Sequence, residues 1–171
     1  MKYFAGKINS EEMLQEIKSA INSEAAFYAL NHFILVASET EASQKFLSPP
    51  LERVFLKPIK KPYLDSIYKR HVMSLALYPA SLEKYIAVHQ EVWPQILDNM
   101  DAIGVYAMEI YLWKNQAFMI MDTRPDFDME KDGAVWAKMP REKEWQAYVA
   151  AFQKVDANAQ ATEKWVLMKK V

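Results

Sequence analysis

The sequence has no cysteine among its 171 residues. It therefore excludes a disulfide framework, a zinc–thiolate site and a thiol nucleophile. Glycine is nearly as scarce, since only Gly6, Gly104 and Gly133 are present. Neither a G-x-G-x-x-G loop nor a Walker-type loop can form from these glycines, which disfavours nucleotide-dependent chemistry. The chain also lacks the G-x-S-x-G and H-E-x-x-H motifs of common hydrolases.

The chain also lacks an excess of positive or negative charge. The net charge is −1, from 21 basic and 22 acidic residues without long runs of either sign. Binding to nucleic acid or to a membrane surface through bulk charge is therefore not expected. The most apolar run, "AAFYALNHFILVA", contains Asn31 and His32 and is shorter than the ~20 residues of a membrane span. The start becomes acidic before any signal-peptide core could form, so we expect a cytoplasmic protein.

A proline-rich segment, "SPPLERVFLKPIKKPYL" (48–64), divides the chain. Proline restrains itself and the preceding residue, so this segment is predicted to be an extended connector and not a helix or inner strand. We place a boundary near residue 65. Residues 1–65 are predicted to form an N-terminal β-α-β extension or small subdomain, with one or two strands in "AAFYALNHFILVAS" and a possible short helix around Glu39 to Leu47. Its role is left open.

Residues 66–171 are predicted to form the main domain. "RHVMSLAL" is typical of a strand, and a helix follows Ser81. "VYAMEIYLW" and "QAFMIMD" predict a hairpin turning at Lys114-Asn115. A second helix is predicted to open at Pro140, and "EKWVLMKK" to close the domain as a strand. This β-α-β-β-α-β order is the ferredoxin-like arrangement of the α+β class. Two helices would cover one sheet face, and a second copy would cover the other in a homodimer. The candidates for that second face are Met73, Leu75, Met108, Ile110, Met119 and Met121.

The stretch "KYIAVHQEVWPQIL" carries the clearest candidate chemistry. Tyr85, His89 and Trp93 are four residues apart and would project from one helix face. They fit either ordinary core packing or a ring-binding wall that holds an acid/base group. Pro94 would remove a backbone hydrogen bond and bend the helix beside Trp93.

A carboxylate in the predicted hairpin is the second candidate. Glu109 lies mid-strand between apolar residues, where a charge is costly unless it has a function or a partner. It would be either a proton-transfer group or a charge paired at a solvated strand position. Tyr111 shares its strand face by alternation, so both side chains could line one pocket.

These residues carry a resemblance to a known family. The pattern Tyr85-x-x-x-His89-x-x-x-Trp93-Pro94, with "MEIYL", "FMIM", "EW" and "EKWVLM" following in order, resembles the L-rhamnose mutarotase family over about residues 69–171. The "MEIYL" and "EKWVLM" motifs are closer to its L-fucose mutarotase-like branch. Gln146 stands where rhamnose-type members have a second tryptophan, and Met108 where they have a tyrosine. The choice between L-rhamnose and L-fucose is therefore open.

The resemblance implies a dimeric α+β barrel that interconverts the α and β anomers of an L-deoxyhexose without cofactor or metal. It implies that His89 is the acid/base residue. We add Glu109 as a second catalytic candidate and predict that the monosaccharide is bound by Tyr85, Trp93, Tyr111 and Trp145. Alternatives are a cofactor-light monooxygenase of the same fold and a non-catalytic sugar-binding module.

Overall fold

A computed structural model describes residues 1–21, 24–39, 47–60, 63, 66–154 and 164–171. In the described residues the strands are β1 (Lys2–Lys7), β2 (Ala26–Leu30), β3 (Phe33–Ser38), β4 (Glu52–Lys57), β5 (Lys69–Ala76), β6 (Val105–Trp113), β7 (Gln116–Thr123), β8 (Val166–Leu167) and β9 (Lys169–Lys170). The α-helices are α1 (Glu11–Ala20), α2 (Leu82–Gln90), α3 (Pro94–Ile103), α4 (Lys131–Trp136) and α5 (Glu142–Ala150).

Two antiparallel sheets share their strands between the two parts of the chain. The first has the order β1-β3-β2-β9 and the second β4-β6-β7-β5-β8. Strand β4 comes from the N-terminal part and pairs with β6, with Phe55 opposite Ile110. Strand β9 comes from the C-terminus and pairs with β2, with Ala29 opposite Lys169. Each part of the chain thus completes the sheet of the other.

The two parts have the same strand connectivity. In the first sheet β1, β3 and β2 are followed by β9, the last strand of the C-terminal part. In the second, β5, β7 and β6 are followed by β4, the last N-terminal strand, and β8 is added at the opposite edge. The predicted ferredoxin-like α+β class is therefore confirmed, and the N-terminal extension contains more than the predicted β-α-β unit.

Four layers follow from the alternation of side chains along the strands. Leu14 and Ile17 of α1 pack on one face of the first sheet. Its other face packs against the second sheet through a cluster that includes Tyr3, Leu35 and Phe118. The remaining face of the second sheet is covered by the helices of the C-terminal part. The fold is thus helix, sheet, sheet, helices.

This layering corrects the predicted faces of the second sheet. The six residues proposed for a dimer interface lie under the helices: Met73, Leu75, Met108, Ile110, Met119 and Met121. The face that meets another sheet carries Val72, Tyr111, Phe118 and Ile120, and that sheet belongs to the same chain. Period-2 alternation separates the two sets, but both are apolar, so the pattern could not tell which set lies under the helices.

The segment predicted as an extended connector contains strand β4. Extended backbone was expected there, and the prolines lie on either side of the strand, which leaves Glu52–Lys57 free to pair at the sheet edge. The short helix predicted around Glu39 to Leu47 falls mainly on residues 40–46, which lie outside the described residues. The predicted closing strand divides at Met168, since β8 pairs with β5 and β9 pairs with β2.

Two helix predictions also need correction. The helix after Ser81 ends at Gln90, and α3 starts at Pro94 as a separate helix. Proline is favoured in the first turn, where its missing N–H is not needed, so Pro94 begins a helix and does not bend one. The later helix begins at Glu142, because Arg141 has a left-handed backbone with φ 63°. Pro140 therefore lies before it.

Candidate active site

A cavity of about 120 Å³ lies between the second sheet and the helices that cover it. Its walls are mainly apolar and include Met73, Met100, Met108, Met119, Met121 and Met129. Its indole rings are Trp136, Trp145 and Trp165. Its polar side chains are His89, Glu142, Gln146 and Gln153. A few polar groups set in an apolar wall are typical of small-molecule sites.

His89, the predicted acid/base residue, lines this cavity. Its side chain is 9% exposed, and its Nδ1 lies 2.9 Å from the carbonyl oxygen of Tyr85. Since a carbonyl only accepts, Nδ1 carries the hydrogen and Nε2 is the basic nitrogen of the ring. Burial lowers the pKa of His89 to about 4, and the bond to Tyr85 opposes this shift. The imidazole is therefore a neutral base near neutral pH.

Glu142 is a buried carboxyl group in the same cavity. It is 2% exposed, and its Oε1 accepts hydrogen bonds from Trp136 Nε1 at 2.8 Å and Asn99 Nδ2 at 3.0 Å. Burial raises the pKa of Glu142, although both hydrogen bonds oppose the shift. A carboxyl group with a raised pKa can donate a proton, so the cavity combines a base with an acid. Sequence reasoning missed Glu142, because three charged residues surround it on a polar helix start.

Two predicted sugar-binding tryptophans contact each other, but only one of them lines the cavity. Trp145 is 6% exposed, and its ring centroid lies 5.9 Å from that of His89. Trp93 contacts Trp145 edge to face at 5.3 Å, stacks on Tyr148 at 5.9 Å, and has the Arg141 guanidinium 4.1 Å from its ring. Trp93 therefore supports Trp145 from behind.

Tyr85 lies beside His89 but is fully buried. Its ring centroid is 4.0 Å from that of His89. Its hydroxyl has no hydrogen-bond partner among the residues that the structure describes. Tyr85 does not line the cavity, so a contact with the sugar stays a prediction.

Glu109 and Tyr111 share one strand face, as predicted, but that face is turned away from the cavity. Their neighbours Met108 and Ile110 line the cavity, and alternation directs Glu109 and Tyr111 to the opposite face. The Tyr111 hydroxyl donates to Glu109 Oε2 at 2.5 Å, and Arg53 lies 3.3 Å from Glu109 Oε1. Tyr111 also contacts Tyr3 of the first sheet, with centroids 4.7 Å apart. The partner that Glu109 needs is thus Arg53, and we remove both residues from the proposed site.

No group of three or more His, Cys, Asp or Glu residues in the described ranges could hold a metal ion. No helix in those ranges is long and apolar enough to cross a membrane. The expectation of a reaction without metal or cofactor stays a prediction.

Comparisons with known proteins cover much of the chain. The chain is 29% identical over 97 residues to the L-fucose mutarotase of Xanthomonas campestris, an alignment that covers 56% of this chain and 78% of that protein. It is 29% identical over 89 residues to a UPF0734 protein of Dictyostelium discoideum, covering 50% and 71%.

Two solved structures are similar in fold. A monooxygenase-like protein from Listeria innocua aligns with 99% of this chain and 94% of its own, at 13% identity and a TM-score of 0.48. A ferredoxin-fold protein of Listeria monocytogenes, described as related to antibiotic biosynthesis monooxygenases, aligns with 88% and 86%, at 12% identity and a TM-score of 0.47.

The family model described as L-rhamnose mutarotase matches residues 70–171, more than half of the chain. These residues hold α2 with His89, α5 with Trp145, and the whole helical side of the cavity. The chain therefore belongs to the L-rhamnose mutarotase family.

Proposed function

We propose that the protein interconverts the α and β anomers of an L-deoxyhexose, either L-fucose or L-rhamnose, by general acid/base catalysis. The observation that carries this proposal is the neutral His89 imidazole in a small cavity that also contains the buried Glu142 carboxyl group. Family membership supports a mutarotase. The choice of L-deoxyhexose also draws on the similarity to a protein named L-fucose mutarotase.

The reaction needs one base and one acid. His89 Nε2 takes the proton of the anomeric hydroxyl while protonated Glu142 gives its proton to the ring oxygen. The C1–ring oxygen bond breaks, and the open-chain aldehyde forms. After rotation about the C1–C2 bond, the Glu142 carboxylate removes the proton from the former ring hydroxyl, and this oxygen attacks the other face of C1. His89 returns its proton to the carbonyl oxygen, so both groups are restored.

The demands of this reaction match the groups in the cavity. General acid/base catalysis typically supplies about 10²–10⁴-fold acceleration, which is enough for a reaction that already proceeds slowly in water. A base with a pKa of about 4 is unprotonated at neutral pH. A carboxyl group with a raised pKa keeps a larger protonated fraction than an exposed one would. The lowered pKa of His89 therefore suits the base, and the raised pKa of Glu142 favours its role as the acid.

The apolar walls support a deoxysugar. The indole face of Trp145 offers a flat surface for the C–H side of a sugar ring, and the methionines adapt to an irregular shape. The methyl group of a 6-deoxyhexose would replace water on this apolar surface, whereas the C6 hydroxyl of an ordinary hexose would lose hydrogen bonds there. We therefore expect L-fucose or L-rhamnose to be favoured over D-glucose and D-galactose.

Saturation transfer between anomeric protons, measured by NMR, tests the proposal. The four sugars should be compared side by side, and exchange should be accelerated for an L-deoxyhexose. His89→Gln should lower that rate at least about tenfold, with the fold intact by circular dichroism. His32→Gln is the matched control, because His32 is exposed in the turn between β2 and β3. A sugar that binds while its anomers exchange at the uncatalysed rate would instead show a binding module.

A further inference from the structure

Gln153 is a buried polar residue of the cavity with an unused hydrogen-bonding atom. Its side chain lines the cavity, and the residue is 4% exposed. Its Oε1 is buried and has no hydrogen-bond partner within the described part of the chain. An unpaired buried amide oxygen is unfavourable, because it has lost water without gaining another donor. A ligand that brings a donor into the cavity would remove this cost.

The backbone holds Gln153 at the cavity wall. Its N–H donates to the carbonyl of Ala150 at 3.1 Å, and the residue forms a bridge with Leu77. The next N–H, of Lys154, donates to the carbonyl of Ala76 at 2.8 Å. The chain after α5 is thus fixed to the end of β5, and the backbone of Gln153 is held at the cavity wall before a ligand arrives. Such preorganisation favours selective binding.

We propose that Gln153 binds a hydroxyl group of the sugar and contributes to the choice between sugars. This inference rests on the proposed function. Gln153 Oε1 accepts a hydrogen bond from one sugar hydroxyl. This hydroxyl lies against the apolar cavity wall, away from bulk water. A site built to pair with a hydroxyl discriminates strongly against an analogue that lacks it, since the buried acceptor is then left unpaired. Gln153 is therefore a specificity residue and takes no part in proton transfer.

A conservative substitution tests this role. Gln153→Met keeps nearly the same volume and removes the amide group, so the apolar packing is retained. KM for the accepted L-deoxyhexose should rise about fivefold to tenfold, with a smaller change in kcat. A deoxy analogue that lacks the contacted hydroxyl should have the same KM with both proteins. Gln15→Met is the control, because Gln15 is exposed on α1, and it should leave KM unchanged.

The outcomes separate this inference from the proposed function. If the wild-type protein accelerates anomer exchange but Gln153→Met has the same KM for every sugar, Gln153 has no part in binding. If the wild-type protein accelerates no exchange, the proposed function fails. If the variant does not fold, the side-chain amide signals of Gln153 in the wild-type protein answer the question. They should shift when L-fucose or L-rhamnose is added, and unchanged signals at a saturating sugar concentration would overturn the inference.

A second observation concerns the N-terminal part of the chain. Strand β4 is the edge strand of the second sheet, and it carries Phe55 into the cavity wall. The Phe55 ring is 7% exposed and lies edge to face with His89, with centroids 6.2 Å apart. The Lys57 ammonium group ties β4 in place, 2.7 Å from Asp101 of α3 and 3.1 Å from the carbonyl of Tyr106 in β6.

We infer that the N-terminal part of the chain, up to residue 60, takes the place of a second subunit. It covers the second sheet and completes the site within one chain. Its sheet covers the apolar face of the C-terminal sheet, and its last strand supplies Phe55 to the site. The reason for expecting a homodimer was an uncovered sheet face, and that face is covered here. The site is therefore complete in a single chain, and Phe55 is a positioning residue for His89.

Activity at increasing dilution tests this inference. The rate of anomer exchange per chain should stay constant down to nanomolar concentrations, and the mass in solution should be that of one chain. Phe55→Ala should lower the rate several-fold, and Phe55→Leu should retain most of the wild-type rate. Leu56→Ala is the control and should leave the rate unchanged, because Leu56 is 42% exposed on the same strand. A rate per chain that falls on dilution would overturn the single-chain site, and an unchanged rate in Phe55→Ala would overturn the role of Phe55.

Discussion

The buried imidazole of His89 predicts a dependence of stability on pH that can be measured without a substrate. Its pKa is lowered by burial to about 4 from the usual 6.5. Between these values the unfolded chain binds a proton at this position and the folded protein does not. Stability therefore falls as the pH is lowered through this window, and the loss is complete below the folded-state pKa.

The size of the effect follows from the two pKa values. Linkage gives a loss of about 2 kcal/mol between pH 7 and pH 5, and about 3 kcal/mol by pH 4. Other groups titrate in the same range, including buried His71, whose pKa is also lowered by burial. The His89 contribution is therefore the difference between the wild-type protein and His89→Gln, in which the other groups are retained.

The assay is urea denaturation followed by tryptophan fluorescence at half-unit steps from pH 4.5 to pH 8. The stability difference between the wild-type protein and His89→Gln should shift by about 2 kcal/mol in favour of the variant between pH 7 and pH 5. A difference that is flat with pH would refute the assignment of His89 as a buried neutral base.

Three further predictions concern the site and the sheet interface. Glu142→Gln should lower the rate of anomer exchange by about 10²-fold. The same substitution should change the dependence of stability on pH. It removes a contribution to the free energy of unfolding that is present at low pH and lost as the pH rises through the raised pKa of this carboxyl group. Glu109→Gln should lower the free energy of unfolding in urea by about 1–3 kcal/mol, because it weakens the pairing with Arg53 and Tyr111. The exchange rate per folded molecule should stay unchanged, and a lower rate would show that Glu109 takes part in the mechanism. Lys57→Met should cost a similar amount, about 1–3 kcal/mol, because it leaves the Tyr106 carbonyl without its donor; an unchanged denaturation midpoint would contradict the role of Lys57 in holding β4.

The candidate site could be predicted from the sequence where its residues lie on one helix at a regular spacing. His89 could be selected because its spacing from Tyr85 on a helix places both rings together, and their centroids are 4.0 Å apart. Glu109 could not be placed correctly, because alternation shows that it shares a face with Tyr111 but not where that face points. Glu142 gave no sequence signal, since its burial depends on Asn99 of another helix and on Trp136 of α4.

The sequence by itself determined the local elements, because their signals are short-range. Pro94 and Gly104 delimit α3: proline suits a first helical turn, and Gly104 closes the helix with φ 92°, where a Cβ would lie 2.6 Å from the Arg124 side chain. The hairpin turn at Lys114-Asn115 was predicted, and Lys114 has a φ of 55° there, whereas Pro94 was expected to bend a longer helix and instead begins one. These features depend on the steric preferences of a few adjacent residues.

Only the tertiary structure decided how the two parts of the chain combine. The exchange of β4 and β9 joins strands that are distant in sequence, and backbone hydrogen bonds between strands carry no sequence signature of their partner. The same applies to the burial of Glu142 and Gln153 in the cavity, since burial is set by what other elements place around a residue. Local sequence specifies which strands form, whereas long-range packing specifies which strands pair and which polar groups lose their water.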